Sequence, residues 1–342
     1  MLVSRQFVVT GKQRSAIHDA DFALNAAADA SGLLIDVEAS LISPGTELSF
    51  YREPVASMLP WPAGYTAAGV VREAGPASPY IDWIGRRVFL FPGDREQMAC
   101  HASQKVASGE SLLIPLPDEL AAEDAVFMRM INIALTPYTL AGLPDVGTVL
   151  VVGLGLVGQT LGMVGRLLGH RVIAMDVSEA RRERAAAWGA DAVIDPQAGD
   201  AVETVRELTD GRGCELVVNA TGLTSTFLTS IRCAAMGGEL STLGNARGPA
   251  PDELQPFLQV VQSNHVTVRG GWEMRLPRRK QLGSNAATTE ANLATACRWL
   301  ASGRFDVNAL RTHVIEPEGM LEAYDKLQAG DPQWLGVAVR WR

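Results

Sequence analysis

Apolar positions along the 342-residue chain change rhythm twice. Up to about residue 117, short alternating runs such as Leu33-Leu-Ile-Asp-Val-Glu-Ala and Gly85-Arg-Arg-Val-Phe-Leu-Phe are punctuated by Gly, Pro and Ser. A period of two with turn residues between runs predicts an irregular antiparallel β domain. From about 118 to 268, continuous apolar runs alternate with helical patterns, which predicts a parallel sheet with helical crossovers. Its strands are expected at 149–152, 172–175, 192–194, 216–219, 239–242 and 266–268, and helices at 179–188, 201–208 and 226–235. Six such strands complete a doubly wound sheet. The tail, 269–342, returns to a mixed pattern: a helix near 289–302, a strand at 314–315, a helix at 317–329 and a closing strand at 336–341. It is too short for a domain of its own. The fold class expected is therefore α/β, with 118–268 inserted into a discontinuous β-rich domain made of 1–117 and 269–342.

The strand at 149–152 runs into Gly153-Leu154-Gly155-Leu156-Val157-Gly158, and Asp176 closes the next apolar run eighteen residues later. Each glycine has a mechanical reason. Gly153 permits a tight turn, Gly155 lets a pyrophosphate approach the backbone, and Gly158 lets the helix sit close on the strand. Leu156 and Val157 open a helix whose unpaired N–H groups and partial positive charge favour phosphate. A carboxylate at Asp176 accepts hydrogen bonds from both hydroxyls of an adenosine ribose and repels a 2′-phosphate, so NAD is the cofactor expected. Arg181 and Arg182 follow, and arginine forks bind phosphate well. Glu179 and Glu183 nevertheless make that stretch read as a charged helix face, with Arg181 a candidate cofactor contact.

Bulk properties narrow the setting. A hydrophobic content of 47% with 20% charged residues describes an ordinary globular protein. The net charge of −8 argues against nonspecific nucleic-acid binding. The cluster Arg275-Leu-Pro-Arg-Arg-Lys280 reads as a solvated loop. No run of eighteen apolar residues predicts a membrane span, and Arg5, Lys12, Arg14 and Asp19 interrupt any signal-peptide core. Cys100, Cys214, Cys233 and Cys297 have no CxxC spacing, which fits a reducing cytoplasm better than a disulfide or structural-zinc framework.

This organisation, together with Pro44-Gly-Thr-Glu47, Pro62-Ala-Gly-Tyr-Thr-Ala-Ala-Gly-Val-Val71, the glycine fingerprint, Gly189-Ala-Asp-Ala-Val-Ile-Asp195, Asn219-Ala-Thr-Gly222 and Gly237-Gly-Glu-Leu-Ser-Thr-Leu-Gly244, resembles the medium-chain dehydrogenase/reductase superfamily, the relatives of zinc alcohol dehydrogenases. The resemblance covers essentially the whole chain. It implies a GroES-like β-rich catalytic domain, a Rossmann domain and an active site in the cleft between them. It also implies that Asn219, Ala220 and Thr221 border the cofactor, that Leu243, Gly244 and Asn245 lie near the nicotinamide amide, and that the protein is a homodimer or homotetramer built through the Rossmann domain.

The departures from that family are informative. Zinc members place a cysteine ligand where this chain has Pro44, and a histidine and a glutamate where it has Tyr65 and Thr66. The third ligand lies near Phe127-Met-Arg129-Met-Ile, which offers no cysteine, histidine or carboxylate. Catalytic zinc needs three protein ligands, so the expectation is a zinc-independent member with no bound metal.

Without a metal, a protein hydroxyl must handle the proton that accompanies hydride transfer. Tyr65 is the candidate acid/base, or else it only fills the vacated metal volume. Its ordinary pKa near 10 requires a neighbouring cation, and Arg129 is either that cation or a cofactor contact. Thr46 is a proton relay or a turn residue, and Glu47 follows it as a further catalytic candidate. Tyr51, Trp61, Arg95, Arg129 and Trp272 are candidate substrate contacts. The activity expected is oxidoreduction of a secondary alcohol or ketone, on a sugar, polyol or secondary metabolite. A quinone or enone reductase and a non-catalytic nucleotide-binding protein are the alternatives.

Overall fold

The computed structural model describes residues 2–22, 30–91, 103–107, 111–143, 147–249, 254–281, 283 and 286–342. The chain divides into two compact units, Met1–Arg129 with Leu293–Arg342, and Met130–Asn292. The limits expected near 117/118 and 268/269 thus stand against unit limits at 129/130 and 292/293. Both crossings fall inside helices, Met128–Leu140 and Thr289–Ala301, so neither is marked by a Gly- or Pro-rich linker.

In the middle unit six parallel strands follow the order Ala192–Ile194, Arg171–Met175, Thr148–Val152, Cys214–Asn219, Ala234–Thr242, Thr267–Gly270. The order reverses direction between Thr148–Val152 and Cys214–Asn219. Ligands of open α/β sheets bind at such a switch point, beyond the carboxyl ends of the strands. Leu150, Val152, Ile173, Val217 and Leu240 belong to one buried cluster on this sheet, which is why the strands read as continuous apolar runs. The helix expected at 226–235 is Phe227–Arg232. It stops early because Ala234 already pairs with Cys214 in the sheet, and tertiary pairing overrides helical propensity there.

In the other unit, a sheet runs Arg311–Ile315, Gly336–Arg340, Gly32–Leu41, Ala67–Ala74, Arg87–Phe91, Leu112–Pro115, with Ser103–Ala107 also paired to Gly32–Leu41. A smaller sheet joins Arg14–Phe22, Leu2–Gly11 and Trp61–Pro62. The tail strand Gly336–Arg340 pairs antiparallel with Gly32–Leu41, which completes the N-terminal domain from the far end of the chain. The helices Pro44–Arg52 and Met320–Ala329 pack on its apolar face through Leu48, Tyr51, Met320 and Tyr324.

Candidate functional site

The glycine turn is built as its spacing requires. Gly153 has φ +92°, and a side chain there would meet Thr221 Cγ2 at 2.6 Å. A Cβ at Gly158 would lie 1.8 Å from the Gly153 carbonyl oxygen, so the helix Leu156–Leu167 rests directly on the turn. Gly155, the N-cap, is different: a Cβ there meets nothing within 4 Å. The open side of the turn is therefore at the helix N-terminus, where unpaired N–H groups suit a pyrophosphate. Leu156 is buried and Val157 half-buried as that helix begins.

Asp176 ends the strand Arg171–Met175 and is folded over this turn. Its Oδ2 accepts from Leu154 N at 2.7 Å and its Oδ1 from Ser178 N at 2.8 Å. A carboxylate has about four lone-pair sites, so two N–H bonds leave acceptors for ribose hydroxyls. Arg181 Nη1 stands 3.5 Å from Oδ2, while Arg182 pairs with the Asp195 carboxylate at 3.0 Å and donates to the Asp176 main-chain oxygen at 2.9 Å.

Two further loops close on the same strand ends. The Asn219 side chain, fully buried, donates to Thr226 Oγ1 and Ser230 Oγ and accepts from Thr221 N. It holds the Ala220–Thr221 turn in place, while Ala220 N donates to Val152 O at 2.9 Å. Leu243 N and Gly244 N donate to Asn219 O at 3.0 and 3.1 Å. A Cβ on Gly222 would meet Asn245 O at 2.1 Å, so the two loops touch backbone to backbone. Residues separated by more than ninety positions, from Gly153 to Asn245, thus converge at the switch point. These residues fit a dinucleotide.

The other unit holds a second cluster. Ser43 is the N-cap of the helix Pro44–Arg52, yet its hydroxyl makes no capping bond and instead hydrogen-bonds the Tyr65 hydroxyl. The Arg129 guanidinium, 7% exposed, lies 4.8 Å from the Tyr65 ring centroid and 3.8 Å from that of Phe91. A cation over the ring favours the phenolate over the phenol. Thr46 is half-buried in the first turn of the helix, and Thr66 is buried with its hydroxyl donating to Val126 O at 3.3 Å. Ser43 escaped the sequence reading, although a serine directly before Pro44-Gly-Thr was a usable signal.

Several candidates stand elsewhere than expected. The Glu47 carboxyl is wholly buried: Oε1 accepts from Ser43 N at 2.7 Å and Oε2 accepts from the Tyr324 hydroxyl. Burial pushes its pKa up to about 7 against the lowering effect of those two bonds. It braces the helix rather than facing a ligand. Tyr51 and Trp61, expected to line a substrate pocket, are core residues packed with Phe7, Leu48 and Tyr324. Large aromatic surface gains more from that contact than from a wet pocket. Trp272 is 70% exposed on the nucleotide unit, and Arg95 lies outside the described residues.

Comparison with known proteins agrees with this architecture. Residues 157–287 match the family described as zinc-binding dehydrogenase; that stretch excludes positions 44 and 65. D-xylulose reductase A of Aspergillus oryzae is 24% identical over 334 residues, 88% of each chain. An alcohol dehydrogenase of Cupriavidus necator is 28% identical over 242 residues, 69% of this chain and 61% of the relative. The solved structure of 2R,3R-butanediol dehydrogenase from Bacillus subtilis superposes with a TM-score of 0.79 at 19% identity, covering 98% of this chain and 99% of that one. The matched stretch, these relatives and the shared fold support a place in the medium-chain dehydrogenase/reductase superfamily. The chain's two units are that family's GroES-like domain and doubly wound Rossmann domain.

Proposed function

We propose that the protein is a zinc-independent, NAD-dependent oxidoreductase acting on a secondary alcohol or ketone of a sugar, polyol or secondary metabolite. The observation that carries this reading is the Tyr65 hydroxyl, paired with Ser43 and overlain by Arg129, at a position where zinc relatives carry a ligand. Among the described residues, no three His, Cys, Asp or Glu side chains converge as a metal site. Polyol and alcohol dehydrogenases among the relatives support the substrate class.

When bound, the nicotinamide supplies or accepts the hydride. Gly155 and the N-terminus of Leu156–Leu167 would hold the pyrophosphate, and Asp176 would hold the ribose hydroxyls. Reduction needs a proton at the carbonyl oxygen as well as a hydride at carbon, and Tyr65 O–H would give that proton. The phenolate left on Tyr65 is favoured by Arg129 and regains its proton from water. Alcohol oxidation reverses each step.

Tyr65→Phe is expected to lower turnover by 10²–10⁴-fold, the usual range for a lost acid/base group, with NAD affinity nearly intact. Steady-state kinetics beside NAD titration checks this; unchanged turnover demotes Tyr65 to a filler. Stoichiometric zinc in protein purified without added metal overturns the zinc-free part.

A second reading, an NADPH-linked quinone or enone reductase, is favoured by one observation, the half-buried Arg181 beside Asp176. Tight NADPH with weak NADH binding selects it. A cytoplasmic homo-oligomer remains the setting we propose.

A further inference from the structure

Serine at a helix N-cap ordinarily accepts a hydrogen bond from an N–H of the first turn. Ser43 does not. Its backbone has N-cap geometry (φ −100°, ψ 94°), but its side chain makes no capping bond. The free end of the helix is braced by other means. Pro44 removes one N–H from the first turn, and the Glu47 carboxylate turns back to accept from Ser43 N at 2.7 Å. That bond fixes the Ser43 main chain and leaves the hydroxyl available. The hydroxyl, on a residue only 4% exposed, is then bonded to the Tyr65 oxygen, while Tyr65 itself is half-buried.

Resting on the reading that Tyr65 transfers the proton, we infer that Ser43 is the positioning residue that controls the ionisation of Tyr65. A serine hydroxyl has one donor and two acceptor sites and rotates to suit its partner. It accepts from the phenol at rest and donates to the phenolate once the Tyr65 proton has gone to substrate. No proton leaves Ser43, so the balance of the reaction is unchanged: one hydride to carbon and one proton from Tyr65 to oxygen. Hydrogen bonds to charged groups are stronger than those to neutral ones, so the donation favours the phenolate. Arg129 adds to this from the ring face, and the two act on different parts of the same side chain. Among the described residues, the titratable and charged groups recorded around the pair include Arg129 over the ring, Glu47 behind the Ser43 main chain, and Tyr324 on the far side of that carboxyl.

The test compares Ser43→Ala with the parent, each measured with and without Tyr65→Phe. The chain has five tyrosines, so the difference in phenolate absorbance between each pair isolates Tyr65. Ser43→Ala is expected to raise the Tyr65 midpoint by roughly one to two pH units, the size of a hydrogen bond to a charged group. Alcohol oxidation at neutral pH should fall by about ten- to a hundredfold and recover as pH rises past the new midpoint. The melting temperature should stay within about 2 °C, because no capping bond is lost. Ser43→Thr, which keeps the hydroxyl, should restore the parent midpoint. An unmoved midpoint in Ser43→Ala overturns the inference, as does a large fall in melting temperature without a midpoint shift. If the midpoint moves but Tyr65→Phe alone leaves turnover intact, the catalytic reading of Tyr65 fails while Ser43's control of its ionisation stands.

Discussion

Gly155 and Gly158 sit three positions apart in the same turn, but they face different things. A methyl group on Gly155 projects into open space, whereas one on Gly158 collides with the Gly153 carbonyl. The second position is therefore constrained by the fold, and we propose that the first is kept open for a ligand. Gly155→Ala is expected to keep the parent's melting temperature and weaken NAD(H) binding at least tenfold, read by calorimetric titration. Gly158→Ala should destabilise the protein by about 1–3 kcal/mol, the range for overpacking a close contact, seen as an earlier denaturant midpoint. Equal melting temperatures for the two variants contradict this division. The sequence anticipated the close seat of Gly158 because the turn is local and spacing alone sets which glycine meets the helix. It could not do so for Glu47, whose partner Tyr324 is 277 residues away.

The helix Pro44–Arg52 shows what that distant partner does at the scale of an element. Its docking against Met320–Ala329 buries a carboxyl among Phe7, Tyr51 and Tyr324, with ring centroids of Phe7 and Tyr51 at 4.9 and 5.2 Å from that of Tyr324. Burial raises the Glu47 pKa from 4.5 to about 7. The folded state thus holds this proton more tightly than the unfolded chain. The resulting stability is full below about pH 4.5 and is lost as pH rises to about 7, a difference of about 3 kcal/mol by linkage. Glu47→Gln removes the titration and keeps an acceptor for Ser43 N. Denaturant melts at pH 5 and pH 8 should show this slope in the parent and a flatter one in the variant, which becomes the more stable protein at pH 8. A parent whose stability rises over that interval on account of Glu47 contradicts the burial argument. Helix and strand type were legible here from periodicity, but which faces meet was not. Tyr51 and Trp61 looked suited to a pocket by residue type and instead fill the core.

For the whole molecule, the open edge of the Rossmann sheet matters most. Among the described residues the strand Thr267–Gly270 pairs on one side only, and Val268 is exposed there, as are Leu254 and Leu258 on the helix Leu254–Ser263. Unpaired strand edges flanked by apolar side chains are sticky, and a two-fold axis lets one patch serve both partners. A second copy of this chain is the occupant we expect. Leu258→Glu combined with Val268→Glu should convert an oligomer to a monomer in sedimentation velocity, and a monomeric parent removes the idea. The amino-acid sequence alone determined the α/β plan and the glycine-rich turn, since each depends on neighbours in the chain and on residue type. Only the tertiary structure decided that Ser43, Tyr65 and Arg129 meet, that Glu47 is buried, and that Tyr51 and Trp61 are core. Those contacts depend on how distant segments close on one another, and a hydroxyl or carboxyl takes its chemistry from whatever that closure sets beside it.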